Sequence, residues 1–282
     1  MYALAEQLLH QNKIPHSGFS LTQFRDEAMN KQYDVYLLDT GKEKFVMKSG
    51  ETELQKYRQY FSSGRFPVPK ICSNTVTFKD NTWFLMEYLT GQDLRGADSD
   101  TILLAARELA LLHSKFWTNP QTEQPEDRYS GYYRRFIPRF PESPALQNTL
   151  AQLISRMKQC PRTLIHDDLL PINVQVTDQG IRFMDWQYCG LYPYFMDICR
   201  LLVHEAGELG SSFSEEIRTA AFDTYYSTLI STGCTALTKE TYQNDIRLGI
   251  IAELVSCLQQ EDRAQWQDFL WDYYKRILAL SE

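Results

Sequence analysis

Residues 164–202 read LIHDDLLPINVQVTDQGIRFMDWQYCGLYPYFMDICRLL. The polar residues of this stretch follow an H-x-D-x-x-x-x-N pattern, which runs from His166 through Asp168 to Asn173. A further carboxylate, Asp185, stands twelve residues after Asn173, at the end of a short apolar run. The stretch therefore concentrates carboxylates, an amide and an imidazole within a few turns of chain.

An ordinary β-hairpin with a polar lead-in explains the backbone of this stretch. Residues 174–176 and 181–184 are short strand-like runs, and the Thr-Asp-Gln-Gly sequence at 177–180 is typical of the turn between them. A hairpin alone does not explain why polar groups crowd the ends of both predicted strands. Loops at strand ends are where functional sites are usually carried, and this favours a functional interpretation.

These residue types match the needs of phosphoryl transfer. That reaction needs a carboxylate that accepts the proton of the acceptor hydroxyl, and oxygen ligands that hold Mg²⁺ on the nucleotide phosphates. In this sequence Asp168 is the candidate base, and Asn173 and Asp185 are the candidate metal ligands.

The stretch resembles the core of the aminoglycoside phosphotransferase and choline kinase superfamily, the phosphotransferase enzyme family. Its members typically show H-G-D-x-x-P-x-N, then Asp-Trp, then another Asp near the next helix. The matching positions here are His166, Asp168, Pro171, Asn173, Asp185, Trp186 and Asp197. One position departs from the pattern, because Asp167 stands where Gly is usual.

The resemblance implies an α+β, two-lobed protein-kinase-like fold. Residues 1–88 would form a small N-lobe with an antiparallel sheet, and residues 89–282 a larger, mainly helical C-lobe, with a hinge at about 86–91. It further implies that His166 and Asp197 support the catalytic loop, with Asp197 accepting hydrogen bonds from the backbone. A plain helix N-cap is the alternative role for Asp197.

In the predicted N-lobe, Lys48 ends the second strand of a hairpin. The resemblance implies that Lys48 contacts the α- and β-phosphates and that Glu53, on the following helix, orients it. Glu51 competes for that partnership, and either acid also suits a helix N-terminus. An ordinary surface lysine is the alternative for Lys48.

The resemblance also implies that adenine binds main-chain groups near Glu87 and Leu89 at the hinge. A Gly-rich loop usually covers the phosphates in kinases, but residues 18–30 contain one glycine, at the start. Polar side chains from this stretch would then supply the donors instead: Ser20, Thr22 or Asn30.

Charge is distributed unevenly along the chain. Residues 1–88 hold 11 Lys/Arg and 10 Asp/Glu, whereas residues 89–282 hold 18 and 26. This balance disfavours nucleic acid, which demands a basic face. An acidic second half suits a cationic small-molecule acceptor, although the same acids also serve as solvated helix surfaces.

Cysteine usage and the N-terminus indicate the expected compartment. The six cysteines show no C-x-x-C pair, which predicts reduced thiols and not a disulfide framework or a zinc site. Neither a signal-peptide pattern nor a membrane-spanning run is seen in the sequence. We therefore expect a cytoplasmic protein that does not bind membranes.

The rest of the second half is predicted to be mainly helical. One helix would be capped by Ser99 or Asp100, and another would begin at an S-x-x-E capping box opened by Ser212. Residues 119–145 are predicted to be an irregular insertion. Two groups rich in aromatic residues would either border the acceptor or pack the core. The first lies in the insertion and comprises Tyr129, Tyr132, Tyr133, Arg134 and Arg135. The second lies near the C-terminus and comprises Trp266, Trp271, Tyr273 and Tyr274.

Two classes of function follow. The first is an ATP- or GTP-dependent small-molecule kinase, a phosphotransferase that uses Mg²⁺ and an alcohol acceptor. Within it, an aminoglycoside-like acceptor is expected, and a choline- or ethanolamine-type amino alcohol is the alternative, because Asp185-Trp186-Gln187 resembles the D-W-E of bacterial choline kinases. The second class is a nucleotide-binding protein with little or no catalysis.

Overall fold

The computed structural model describes residues 1–26, 31–62, 65–119, 128–204, 213–258 and 268–281. In chain order the described helices and strands are α1 Tyr2–Gln11, β1 Ser20–Asp26, β2 Lys31–Asp39, β3 Lys44–Ser49, α2 Glu51–Tyr60, β4 Val76–Phe78, β5 Asn81–Glu87, β6 Gly91–Asp93, α3 Ser99–Lys115, α4 Arg128–Arg134, α5 Pro144–Gln159, β7 Arg162–Ile165, β8 Val174–Thr177, β9 Gly180–Phe183, β10 Gly190–Pro193, α6 Met196–Val203, α7 Glu215–Ser231, α8 Lys239–Cys257 and α9 Asp268–Ser281.

A five-stranded antiparallel sheet has the order β1-β2-β3-β5-β4. The predicted hairpin is its centre: β2 pairs with β3, and Gly41 takes the positive φ of 77° that the connecting turn requires. Alternate residues of β3 and β5 face a core that also receives α1. This core includes Leu4, Leu8 and Leu9 of the helix and Leu38, Met47 and Leu85 of the sheet.

The chain folds into two compact units. The first is residues 1–92 with 175–188, and the second is residues 93–174 with 189–282. Within the first unit, Trp186 is fully buried and its ring lies 4.8 Å from that of Phe61. The segment around Trp186 therefore belongs to the sheet-bearing unit. The division of the sequence at residue 88, which stays a prediction, assigns this segment to the predicted C-lobe instead.

The second unit is mainly helical. Within it, α3 packs against α7, and α6 packs against α8. The cap of α3 is Asp98, whose carboxylate accepts a hydrogen bond from the N–H of Thr101 at 2.9 Å, so the prediction of Ser99 or Asp100 was off by one or two residues. The cap of α7 is Ser214, and the predicted capping residue Ser212 lies outside the described residues.

The insertion is more regular than predicted. Helix α4 and a 3₁₀ turn at Ile137–Arg139 fall within residues 119–145, of which 120–127 lie outside the described residues. Tyrosine-rich sequence is a weak helix former, and packing of rings such as Tyr132 against Phe136 explains why helix forms here. The α+β class and the antiparallel sheet are as predicted.

The cysteines lie mostly in the core. None of the six, all of which are in the described residues, takes part in a disulfide, and five of them are buried. None of the helices in the described part of the chain combines the length and apolar character needed to cross a membrane.

Candidate active site

In the first unit, the side chain of Lys48 reaches two carboxylates. Its Nζ lies 2.5 Å from Oε2 of Glu53 and 3.3 Å from Oδ1 of Asp185. Sheet pairing fixes the lysine, since β3 is hydrogen-bonded to strands on both sides, while α2 presents Glu53. The competing acid, Glu51, instead accepts a hydrogen bond from Gln55. The structure therefore selects Glu53 as the partner of Lys48.

Electrostatics keep this lysine protonated. Burial alone would lower the pKa of Lys48, but the carboxylates of Glu53 and Asp185 outweigh burial and raise the pKa above its ordinary value. Glu53 is only 2% exposed, so the pair is shielded from solvent. The result is a fixed positive charge in a largely buried position, which suits contact with phosphate oxygens.

The other N-lobe candidates occupy simpler positions. Ser20 and Thr22 lie on β1 and are exposed, whereas Asn30 is outside the described residues. The carboxylate of Glu87 accepts a hydrogen bond from the N–H of Lys70 at 3.1 Å, and Leu89 is half-buried just after β5. The structure thus places Glu87 and Leu89 at the end of the sheet, where a hinge role stays a prediction.

In the second unit, Asp197 holds the loop that follows β7. One of its oxygens accepts a hydrogen bond from the N–H of His166 at 2.7 Å, and the other accepts from the N–H of Asp167 at 3.0 Å. Asp197 stands in the first turn of α6 and is fully buried, and the cap position belongs to Phe195. The contact is the one implied by the resemblance, and plain capping does not describe it.

The same loop is braced from within. The N–H of Asp168 donates to Nδ1 of His166 at 3.2 Å, and the amide of Asn173 donates from Nδ2 to the carbonyl of Asp168 at 2.7 Å. The second bond leaves the side-chain oxygen of Asn173 as the atom that suits a cation. His166 is fully buried, and support of the loop stays its predicted role.

Two aspartates near the predicted chemistry have a left-handed backbone. Asp167 has φ of 73° and Asp185 has φ of 65°, a conformation that side chains other than those of Gly, Asn and Asp rarely adopt. Such conformations cluster at functional sites because the surroundings must enforce them.

The predicted base, Asp168, belongs to a series of ion-paired side chains. Nη2 of Arg200 lies 2.7 Å from Oδ1 of Asp168, and Nη1 lies 2.9 Å from Oε1 of Glu253. Glu253 also receives a short hydrogen bond from the ring of His204. Burial raises the pKa of Glu253, but His204 and Arg200 outweigh burial and hold the pKa below its ordinary value. The arginine thus links the base to a buried, ionised glutamate.

Sequence reasoning missed Arg200 and Glu253. Arg200 stands three residues after Asp197 on α6, so helical spacing puts both on one face, and this was the signal available. Glu253 is a lone acid within an otherwise apolar run of α8. A buried acid in such a run needs a partner, but the sequence does not say which.

A cavity of about 320 Å³ lies next to these ion-paired side chains within the second unit. Its walls are aromatic and acidic, and its lining residues are Tyr129, Tyr132, Tyr133, Asp167, Met196, Asp197, Arg200, Glu253 and Ser256. Three tyrosines of the insertion thus line this cavity, and a role in binding the acceptor stays a prediction. Arg134 and Arg135 are not among the described lining residues.

The C-terminal aromatic group is different. The ring of Tyr274 stacks on Phe140 and its hydroxyl donates to Glu142 at 2.7 Å, so this residue packs the helical unit. Trp266 and the side chains of Trp271 and Tyr273 lie outside the described residues. Tyr274 therefore takes the packing role of the two predicted for this group.

The fold and the chemistry of these side chains define a kinase that acts on small molecules. The chain belongs to the phosphotransferase enzyme family, whose model matches residues 23–229. Both the predicted resemblance and the predicted enzyme class, a phosphotransferase with an alcohol group as acceptor, are thereby confirmed.

Solved structures share the fold over the whole chain. A choline kinase from Streptococcus pneumoniae is 16% identical with a TM-score of 0.59, and the match covers 100% of this chain and 99% of that one. A putative aminoglycoside phosphotransferase from Ralstonia eutropha is 13% identical with a TM-score of 0.62, covering 100% and 96%. A spectinomycin phosphotransferase, solved with ADP and spectinomycin, is 13% identical with a TM-score of 0.57, covering 99% and 97%. A search of curated proteins finds no match.

Proposed function

We propose that this protein transfers the γ-phosphoryl group of ATP or GTP to a hydroxyl of a small cationic acceptor, as aminoglycoside phosphotransferases do. The observation that carries the proposal is the position of Asp168. Its carboxylate is held by Arg200, which also lines the aromatic and acidic cavity of the second unit. An acceptor in that cavity would therefore lie near a carboxylate able to accept its hydroxyl proton.

Asp168 would act as the general base. A base must reach the reacting hydroxyl and be ionised. The ion pair with Arg200 holds the carboxylate in place, and the carboxylate is one-third exposed, which leaves room for a substrate hydroxyl. The second oxygen of the carboxylate remains for the acceptor, since Arg200 contacts Oδ1.

Lys48 would bind the nucleotide phosphates, with Glu53 holding it in place. The hinge residues Glu87 and Leu89 would offer main-chain groups to the base of the nucleotide. The spectinomycin kinase solved with ADP supports a nucleotide donor for this fold. A lysine held at 2.5 Å by a buried carboxylate is already oriented, so little conformational entropy is lost when the phosphates bind.

The donor set fits Mg²⁺. The proposal assigns the ion to the carboxylate of Asp185 and the side-chain oxygen of Asn173, and oxygen ligands of this kind are those that Mg²⁺ prefers. When bound, the ion would neutralise charge on the phosphates. Asp185 is 37% exposed, which is compatible with an ion that keeps several waters.

The size and walls of the cavity bear on the acceptor. At about 320 Å³ the cavity is at the lower end of the range of small-molecule sites, roughly 300–1,000 Å³. A single amino-sugar ring or an amino alcohol suits this volume. A choline- or ethanolamine-type acceptor is thus the alternative within the class, supported by the similarity to a choline kinase and by the tyrosine rings, whose faces attract cations.

A binding protein without catalysis is the second candidate. The glycine-poor stretch supports it, because β1, from Ser20 to Asp26, contains no glycine that would let backbone N–H groups approach the phosphates closely. The two candidates differ in turnover and not in nucleotide binding.

The experiment that separates them starts with melting temperatures in ATP and GTP, with and without Mg²⁺. It then measures nucleoside diphosphate release over a panel of amino sugars and amino alcohols. Acceptor-dependent turnover supports the kinase; a Mg²⁺-dependent rise in melting temperature without turnover of any acceptor supports the binding protein.

A matched pair of variants on β3 makes the test specific. Lys48→Met should raise the KM for nucleotide at least about tenfold, the effect expected when a charge-assisted contact to phosphate is lost. Lys44→Met removes a lysine from the same strand that is paired with Asp39 and half exposed, and should leave that KM unchanged. Equal kinetics of the two variants would overturn the role of Lys48.

A further inference from the structure

One residue of the loop that carries the base lies in the wall of the cavity. Asp167 has a left-handed φ of 73° and lines the cavity beside the tyrosines of α4. A side chain held in a conformation that favours glycine signals a function when a simpler residue would serve the backbone equally well. The next residue along the chain is the base, Asp168.

We propose that Asp167 binds the amino group of the acceptor and so determines its specificity for cationic alcohols. The inference rests on the proposed function for its hydroxyl chemistry, but the contact itself is a matter of binding. It assigns a role to a residue that the family pattern does not contain.

The charges around the cavity support this assignment. Among the described lining residues, three carboxyl groups face one guanidinium, that of Arg200. The guanidinium is engaged by Asp168 and Glu253, and the acids of the lining outnumber it. Of the three acids, Asp167 is the one that stands next to the base in the chain, so a cation bound to it would lie close to the reacting hydroxyl.

The surroundings of Asp167 raise the pKa of its carboxyl, and a bound cation would act against that rise. Burial and then the nearby charge of Asp197 raise the pKa of its carboxyl to about 8, with Arg200 opposing and Asp168 and Glu253 adding to the rise. An ammonium group beside it would favour the ionised form and displace the proton to solvent.

The tyrosines complete a site for an ammonium group. Burial raises the pKa of Tyr132 to about 12 and that of Tyr133 well above its ordinary value, so both hydroxyls stay neutral. Their rings contact one another edge to face, with centroids 4.9 Å apart. Aromatic faces beside a carboxylate are the combination that recognises alkylammonium groups.

The test compares binding of charged and neutral probes to the whole protein. Isothermal titration would use ethanolamine against ethylene glycol, glucosamine against glucose, and choline. The variants are Asp167→Asn, which removes charge at nearly constant shape, and Asp167→Gly, which restores the residue usual in relatives and relieves the backbone. Asp80→Gly is the matched control, because Asp80 has φ of 63° in an exposed turn of the other unit.

The wild-type protein should prefer a charged probe to its neutral counterpart. Both Asp167 variants should bind the charged probe about 10- to 100-fold more weakly, which is the usual contribution of a hydrogen bond to a charged group. The neutral probes and the Asp80→Gly protein should show no change. If any probe is turned over, KM should rise in the Asp167 variants while kcat changes little, a split that general loss of structure does not produce.

Proton release gives a second, independent reading. Choline has no titratable group, so protons released on its binding at pH 7 come from the protein; we expect roughly one per choline for the wild type and none for Asp167→Asn. Titrations in buffers of different ionisation enthalpy measure this number.

The outcomes separate the inference from the proposed function. Charge preference that survives in both Asp167 variants, or a wild type with no preference for any charged probe, overturns the inference, even if neutral alcohols are phosphorylated. Charge preference that depends on Asp167, without turnover of any alcohol, supports the inference and overturns the kinase.

Discussion

Arg200 forms an ion pair with Asp168, with Nη2 of the guanidinium 2.7 Å from Oδ1 of the carboxylate. The same guanidinium is held at its other nitrogen by Glu253, which is 3% exposed. A planar fork that bridges two carboxylates is well defined in orientation. Arg200 is therefore a positioning residue for the proposed base, and α6 and α8 together fix where that base points.

Arg200→Lys should lower kcat by about 10- to 100-fold, because one ammonium cannot bridge both carboxylates and a small misplacement of a base is costly. The KM for nucleotide should stay within about twofold, since a change at the base does not remove a phosphate contact. Arg247→Lys is the control, as Arg247 binds the carbonyl of Leu280 elsewhere in the helical unit. Unchanged kcat in Arg200→Lys would show that the ion pair does not position the base.

Asp168→Asn should lower kcat by about 10²- to 10⁴-fold, the range for removing a positioned general base, or roughly 3–5 kcal/mol of barrier. Melting temperature and nucleotide binding should be preserved, because the amide keeps the shape of the side chain. Asp178→Asn changes an exposed aspartate in the hairpin turn and serves as the control for loss of charge. Wild-type turnover by purified Asp168→Asn would rule out the assignment.

Asp185→Ala should abolish Mg²⁺-dependent turnover, since the neutral amide of Asn173 does not hold the ion against water alone. The backbone complicates this variant, because φ at Asp185 is 65° and alanine is strained there. Asparagine tolerates that φ, so Asp185→Asn avoids the strain. It should show the same loss of turnover, and titration of the ion should show a weaker dependence of activity on Mg²⁺. An Asn variant with the wild-type Mg²⁺ dependence would exclude Asp185 as a ligand.

Asp197→Ala should reduce activity far more than loss of a helix cap would. It leaves the N–H groups of His166 and Asp167 without their acceptor, and each buried unsatisfied donor costs about 1–3 kcal/mol. Asp100→Ala removes an exposed acid from the first turn of α3 and gauges the effect of charge at a helix start. Hydrogen exchange should show faster exchange in residues 165–168 of Asp197→Ala; equal exchange in the two variants would leave only the helix-end role.

Asp167→Asn should change how stability depends on pH. The carboxyl of Asp167 has a pKa of about 8 in the folded protein against an ordinary value of 3.8, so the folded state binds this proton more tightly than the unfolded state. The wild type therefore loses stability as pH rises from about 4 to about 8, and the amide does not. Because the side chain is partly exposed, we expect a gain for the variant of about 1–3 kcal/mol, less than the full shift implies.

Melting curves from pH 5 to pH 9 measure that effect. The difference in melting temperature, Asp167→Asn minus wild type, should increase with pH and level off above pH 8. A difference that is independent of pH would show that the carboxyl titrates near its ordinary value.

The sequence determined the local chemistry of this protein. The spacing of Asp168 and Asn173, and the return of Asp185 after a hairpin, depend on a short loop and a turn whose residues are adjacent in the chain. Strand alternation similarly predicted the central hairpin, and helix-start signals predicted a mainly helical second half, because such patterns arise from local backbone geometry. The family pattern then implied the fold that the comparisons confirm.

The tertiary structure decided which distant groups meet. It selected Glu53 and not Glu51 for Lys48, and it joined Arg200 of α6 to Glu253 of α8 across 53 residues of chain. It also placed Asp167 in one cavity with tyrosines from α4, which turned a departure from the family pattern into a candidate for specificity. Such contacts follow from how apolar faces of helices pack together, and that packing depends on the whole core, which residue spacing within one segment does not encode.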